Sequence, residues 1–143
     1  ISLMIIDETD NSEYFLYKFN ISNEDKKRIR FLQNVFSKPL DRKTFSEKNL
    51  WKILYYNNIN YLNDLINFQI YRSKKIDKKM IKLKEFFSHQ LPPKFNVKAK
   101  FLMEKFNLKE GKELGQKIKE IEIAWINNSF KITDKQIEKI ING

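Results

Sequence analysis

The 143-residue chain carries 28 lysine and arginine residues against 18 acidic ones, a formal net charge of +10, and it has one histidine and no cysteine. The lack of cysteine excludes disulfides and thiolate metal sites, and the single histidine excludes a histidine-cluster metal site. The length fits one domain of ordinary size, and no apolar run approaches the roughly 20 residues that a membrane span requires.

The positive charge favours a polyanionic partner such as a nucleic acid. A competing explanation is codon bias from an AT-rich genome, because lysine far outnumbers arginine and both isoleucine and asparagine are abundant. Charge alone leaves both explanations open. The absence of cysteine and of a secretory signal favours a reducing, cytoplasmic location, and we expect no membrane partner.

Residues 1–20 begin with an apolar stretch, I-S-L-M-I-I, which an acidic stretch follows. The apolar stretch lacks the basic region and cleavage site of a signal peptide, so we expect part of a larger element that needs a covering partner. Its exposed surface would favour a homodimer. The acidic residues lack the spacing of a calcium-binding loop and are expected to form a solvated loop. They are Asp7, Glu8, Asp10 and Glu13.

Residues 22–36 predict a helix with Ser22 or Asn23 as its N-cap and acidic residues in its first turn. Its core face is expected to contain Ile29, Leu32 and Phe36. The basic residues of this helix are expected to face solvent, and they are Lys26, Lys27, Arg28 and Arg30.

Residues 46–72 predict two further helices, the first capped by Ser46 and the two separated by the polar residues 57–60. Both helices are rich in aromatic residues. At helical spacing these side chains are expected mainly in the core, although exposed ones could stack on nucleic-acid bases.

Residues 74–84, K-K-I-D-K-K-M-I-K-L-K, are the most basic run and predict an amphipathic helix. Its apolar stripe is expected to contain Ile76, Met80, Leu83 and Phe87. The stripe is needed for the fold, so we prefer a face that contacts phosphates over a helix that lies on a membrane. Pro92 and Pro93 end this region and predict a boundary between a helical body, 1–90, and a C-terminal tail, 91–143.

Residues 95–130 predict a short helix, a tight turn and a long helix, and a last short helix capped by Thr133 follows. In the long helix four apolar residues share one face: Leu114, Ile118, Ile121 and Trp125. Lys112, Gln116 and Lys119 lie on the opposite face. The sequence therefore predicts an all-α fold of about seven mostly short helices, ending in a helical hairpin and a short C-terminal helix.

Gly111 lies where the long helix begins, and backbone N–H groups at such a position have no partner inside the helix. Lys109 and Lys112 flank it, so a phosphate would meet amides and ammonium groups together, and a glycine leaves the approach open. The alternative is structural: Gly111 turns the chain, and Gly115 allows a neighbouring helix to come close.

The run L-K-E-G-K-E-L-G-Q-K-I-K-E-I-E-I-A-W-I-N-N-S-F, with K-F-L-M before it, resembles the C-terminal signature of the bacterial class II tRNA nucleotidyltransferase and poly(A) polymerase family. Upstream, F-N-I-S-N-E-D-K-K-R-I-R-F-L resembles the family's segment L-S-N-x-x-R-x-R-L between Ile21 and Leu32. The two matches occur in the family's order and span most of the chain.

The resemblance implies an RNA-binding body and tail without the catalytic head. In the family, the head carries paired aspartates that hold two metal ions and a nucleotide, and the helical part holds the RNA, including tRNA at its elbow and acceptor arm. Nothing in this chain matches the head, so the chain alone is not expected to catalyse nucleotidyl transfer, and magnesium and nucleotide would belong to the head. A separately encoded head is therefore an expected partner, and a split gene or a fragment is the expected origin.

The chain departs from the family pattern F-P-x-x-G-x-D-L, because Asn96, Ala99 and Phe101 replace its proline, glycine and aspartate. The sequence does not distinguish C-C-A addition from poly(A) addition. The alternative function is an interaction module or a relic without RNA affinity of its own. Our predicted phosphate contacts lie at the hairpin turn, beside it and in the basic run: Lys109, Gly111, Lys112 and Gly115; Lys98 and Lys100; Lys74, Lys75, Lys78 and Lys79.

Overall fold

The computed structural model describes residues 12–41, 43–73 and 75–143, and in these ranges it contains eight α-helices and no strand. The helices are α1 (Ser12–Lys18), α2 (Asn23–Phe36), α3 (Glu47–Tyr56), α4 (Ile59–Arg72), α5 (Lys78–Ser88), α6 (Ala99–Phe106), α7 (Lys112–Asn127) and α8 (Asp134–Asn142). The predicted all-α fold class is confirmed. Two predictions, the apolar surface of residues 1–6 and the acidic loop at residues 7–10, lie outside the described residues.

The chain forms two compact units, which divide after Pro92. Unit 1 contains α1 to α5, and unit 2 runs from Pro93 to Gly143 and contains α6 to α8. The sequence placed this boundary between residues 90 and 91.

Side-chain caps explain where several helices begin. Ser22 accepts a hydrogen bond from the Asp25 amide at 3.1 Å, and Ser46 caps α3 in the same way. At α8, Thr133 and Gln136 bond each other's backbone in a capping box. These caps satisfy amide donors that a helix leaves unpaired in its first turn, and the predicted caps of the three helices are confirmed.

The core of unit 1 forms where the apolar faces of α2 to α5 meet. Phe36 and Phe68 pack with ring centroids 4.5 Å apart, and Phe87 is fully buried. The predicted core face of α2 is buried as expected. The buried residues of this core are Leu32, Phe36, Leu50, Leu54, Leu62, Leu65, Ile66, Phe68, Met80 and Phe87.

Helix α5 begins later than the sequence predicted, so the prediction that residues 74–84 are one helix is wrong. Asp77 accepts hydrogen bonds from the Lys79 and Met80 amides at 3.0 and 3.1 Å, which makes it the N-cap and leaves the preceding residues outside the helix. Ile76 therefore does not join the apolar stripe and is 82% exposed.

The predicted solvated acidic loop is also wrong at Glu13, which lies in α1. The Nε and Nη2 groups of Arg30 each donate to the Glu13 carboxylate at 3.0 Å, and this hydrogen bonding lowers the pKa of Glu13 below its usual value.

Arg28 does not simply face solvent, as the sequence suggested, but joins α2 to α4. Its Nε donates to Asp64 Oδ2 at 2.6 Å and its Nη2 to Oδ1 at 2.8 Å, both part-buried. The hydrogen bond to Asp64 raises the pKa of the guanidinium above its usual value. A bidentate arginine–carboxylate pair of this kind fixes the relative orientation of the two helices.

Unit 2 packs α6 and α8 against the apolar face of α7. Leu114, Ile121 and Trp125 are buried and Ile118 is half-buried, which confirms the predicted face. Leu102 and Ile137 complete the buried core from the two neighbouring helices. The Lys117 Nζ donates to the Ile140 carbonyl at 2.6 Å and so ties α7 to the C-terminal end of α8.

We predict that Arg28→Met lowers the free energy of unfolding by about 1.5–3 kcal/mol, because it leaves the part-buried Asp64 carboxylate without its charged donor. Urea denaturation followed by circular dichroism measures this loss. Arg30→Met is the matched control, because it removes the solvent-exposed pair with Glu13 and should cost less. Equal losses from the two variants would contradict a special role for Arg28.

Candidate nucleic-acid interface

The turn before α7 places Gly111 on the surface in a backbone conformation that requires glycine. Its φ is 150°, a value that side-chain-bearing residues rarely adopt, and no heavy atom of the described chain lies within 4 Å of the position that a Cβ would take. The residue is exposed. The turn therefore leaves open space in front of the start of α7.

The amides at the start of α7 have no side-chain cap. Gly111 is the N-cap of α7 and supplies no side-chain hydrogen bond, and the first backbone bond of the helix is from the Gly115 amide to the Gly111 carbonyl at 3.2 Å. Within the described residues the amides of residues 112–114 form no short, well-aligned hydrogen bond, although a weaker backbone bond closes the turn at Glu110 and Gly111. These donors and the helix dipole together favour an anion at this position.

Charges of both signs surround these amides. Lys109 and Lys112 are exposed, and neither forms an ion pair with any carboxylate in the described parts of the chain. Glu110 and Glu113 are exposed beside them. The two carboxylates offset the two ammonium groups at long range, so the local advantage for an anion comes mainly from the amides.

Helix α6 begins in a similar way. Its N-cap is Lys98, which supplies no side-chain hydrogen bond, and Lys100 lies in its first turn, 3.7 Å from Glu104 across an exposed ion pair. Among the helices whose N-cap residue the structure describes, α6 and α7 are the two without a side-chain cap. Both lie in unit 2, within residues 95–130.

The predicted contacts Lys98 and Lys100 lie at the start of α6, whereas the hairpin turn follows its end. The helix has eight residues, which correspond to about 12 Å of helix axis. Unit 2 therefore presents two separate uncapped helix starts rather than one.

The basic run of unit 1 has exposed lysines, but the helix that begins there has a side-chain cap. Lys75, Lys78 and Lys79 are exposed, whereas Lys74 lies outside the described residues. Asp77 already accepts the amides at the start of α5. A groove of about 510 Å³ lies beside this helix start, and its lining residues are Glu47, Lys78, Lys79, Lys82, Leu83 and Phe86. This surface offers charge and apolar area, without directed amide donors.

The structure does not support close helix packing as the reason for Gly115. The residue is exposed, and the space that a Cβ would occupy has no heavy atom of the described chain within 4 Å. Its lack of a side chain instead keeps the first turn of α7 unobstructed.

An aromatic crevice in unit 2 was missed from the sequence. It has a volume of about 610 Å³ and lies where the residues before α6 and after α7 meet the end of α7. Trp125 packs against Phe95 at 5.3 Å and against Phe130 at 4.9 Å between ring centroids. Exposed lysines at 94 and 131 belong to its lining.

In the parts of the chain that the structure describes, no helix is both long and apolar enough to cross a bilayer. The same residues contain no group of three histidine, cysteine, aspartate or glutamate side chains that could hold a metal ion. Comparison with protein-family models, curated proteins and solved structures gives no match.

We predict opposite stability effects for alanine at the two glycines. Gly115→Ala should raise the free energy of unfolding by about 0.5–1 kcal/mol, because alanine is the better residue in an exposed helix. Gly111→Ala should lower it by about 1–3 kcal/mol, because alanine is strained at this φ. Thermal unfolding in a Trp51→Phe background, followed by the fluorescence of Trp125, reports on unit 2. A loss of stability in Gly115→Ala would show that this glycine has a packing role.

Proposed function

We propose that this chain is an RNA-binding module that holds tRNA through its phosphates, while a catalytic head outside these 143 residues transfers nucleotides to the RNA end. The observation that supports the proposal best is the pair of lysine-flanked, uncapped helix starts in unit 2, at Lys98 and Gly111. The helix start at Gly111 falls in the run that resembles the tail of tRNA nucleotidyltransferases and poly(A) polymerases, and the start at Lys98 lies just before the matched residues.

A helix start of this kind suits a phosphate for two reasons. The unpaired amides donate hydrogen bonds in fixed directions, and the helix dipole adds a partial positive charge of about half an elementary charge. Lys109 and Lys112 then supply full charges on flexible side chains that can adjust to the position of the phosphate. The amides position the backbone of the RNA, and the lysines add affinity that depends on salt.

Recognition through phosphates also agrees with the type of partner. A folded RNA presents a deep, narrow major groove that side chains do not read, so proteins recognise its shape and its backbone. With a net charge of +10, the chain would attract such a polyanion from all sides, and the two helix starts would fix its position. The proposed setting is cytoplasmic, and the metal ions and nucleotide of the reaction would be held by the head.

We predict that Lys109→Glu with Lys112→Glu weakens tRNA binding and lowers the slope of log K against log salt concentration by about two, because two phosphate contacts are lost. Fluorescence anisotropy of labelled tRNA, measured from low to physiological salt, gives both quantities. The matched control is Lys26→Glu with Lys27→Glu on α2, which changes the net charge equally.

Equal losses from the two double variants would leave only general charge attraction and would contradict a site at Gly111. No salt-dependent tRNA binding at all would instead favour an interaction module without RNA affinity. The observation in favour of that second function is the apolar area in unit 1, where Ile76 and Phe86 are exposed near lysines that form no ion pair within the described residues. Incubation of the chain with tRNA, ATP and a candidate head polypeptide, scored for 3′ extension, then tests the role of the head.

A further inference from the structure

We propose that the aromatic crevice of unit 2 binds one unpaired nucleotide, with its base against Phe95 and Phe130 and its phosphate between Lys94 and Lys131. The inference rests on the proposed function only in taking RNA as the ligand, because the crevice and the helix starts consist of different residues. It adds a base-binding site to a module that otherwise contacts phosphates.

The size and lining of the crevice fit a nucleotide. Its volume of about 610 Å³ falls in the range of small-molecule sites, and its lining combines aromatic and apolar residues with several polar and charged side chains. Phe95, which precedes α6, and Phe130, which follows α7, both pack against Trp125. Asn96 also belongs to the lining and is exposed. An asparagine amide offers a donor and an acceptor, which together match the edge of a base.

The charge at the rim of the crevice is positive. Within the described residues Lys94 and Lys131 form no ion pair, so both ammonium groups can meet a phosphate. The one carboxylate of the lining, Asp134, is paired with Lys105. That lysine also lies 5.2 Å from the centroid of the Phe101 ring, so the pair is held against the aromatic wall. The acid therefore does not oppose an anion at the opening.

Backbone strain places Phe130 in the crevice. Ser129 and Phe130 have φ values of 55° and 61°, a left-handed conformation that is costly for a bulky residue. The Phe130 amide donates to the Trp125 carbonyl at 2.8 Å, and the Asn128 side chain donates to the Lys131 carbonyl at 2.9 Å. These bonds hold the aromatic ring and the adjacent lysine at the crevice, and relaxation of the loop would remove both.

The combination favours an unpaired nucleotide over paired RNA. Flat aromatic rings bind any base through stacking, and nearby lysines bind the phosphate that is joined to it. In a duplex the faces of the bases are covered by their neighbours, so paired RNA can reach the lysines but not the rings. Discrimination between single-stranded and paired RNA is the measurable consequence.

The test uses Trp125 as the reporter. The chain has two tryptophans, so Trp51→Phe leaves Trp125 as the only one. Three probes are titrated against this full-length variant: a single-stranded oligoadenylate, a blunt RNA duplex of equal length and inorganic polyphosphate. Binding is measured by anisotropy of labelled RNA, and by competition for polyphosphate. We expect quenching of Trp125 by the oligoadenylate alone, although all three probes bind.

Two further variants locate the effect in the crevice. Phe130→Asn removes the ring but suits the left-handed backbone, and it should weaken oligoadenylate binding by about 5- to 150-fold, as loss of one stacked base does. Lys131→Gln should weaken it as well, whereas Lys135→Gln, an equal loss of charge on α8 outside the lining, should weaken it less. Phe130→Asn should weaken duplex binding less than it weakens oligoadenylate binding.

The outcomes separate the two proposals. Oligoadenylate that binds without quenching Trp125, or that binds Phe130→Asn as tightly, overturns the nucleotide site and leaves the phosphate contacts at Gly111 in place. The double variant Lys109→Glu with Lys112→Glu gives a third outcome. If oligoadenylate still quenches Trp125 and tRNA binding is unchanged, the nucleotide site is supported and the phosphate contacts at Gly111 are overturned. Failure of every RNA probe to bind overturns both.

Discussion

Packing around Trp125 is the constraint on which unit 2 depends. The side chain is buried at the C-terminal end of α7 and contacts Phe95, which precedes α6, and Phe130, which follows α7. One residue therefore fixes both connecting segments of the unit. Aromatic pairs of this kind stabilise beyond the apolar area that they bury, and they also prefer particular ring orientations. The crevice has its shape because these two segments converge on the same ring.

The apolar face of α7, which ends at Trp125, also determines which residues face solvent at the start of the helix. Leu114 is buried at the first turn, so Gly111, Lys112 and Gly115 fall on the exposed side. The buried core and the exposed side of the first turn are two results of one pattern. Any substitution that rotated α7 to bury a different face would therefore disturb the core and the exposed turn together.

The helices and their caps could be predicted from the sequence because they depend on residues within one or two turns. Ser22, Ser46 and Thr133 start helices, and apolar residues three or four apart are buried. Contacts between distant residues could not be predicted in this way. The Arg28–Asp64 pair joins α2 to α4, and the position of Phe130 depends on a left-handed backbone that neither serine nor phenylalanine favours. Asp77 caps α5, whereas the lysine run around it suggested a helix that begins earlier.

The two basic surfaces differ in how they would act on an RNA. In the described part of unit 1 the lysines around α5 form no ion pair, and Asp77 accepts hydrogen bonds from the amides, so attraction there is Coulombic and falls with salt. Near Gly111 two lysines and two glutamates have nearly no net charge when seen from a distance. The backbone amides there still point in fixed directions. Donors in fixed positions act only over hydrogen-bond distances and therefore select geometry rather than charge. Under the proposed function, unit 1 would raise the rate at which RNA is captured, and unit 2 would determine which phosphates are held.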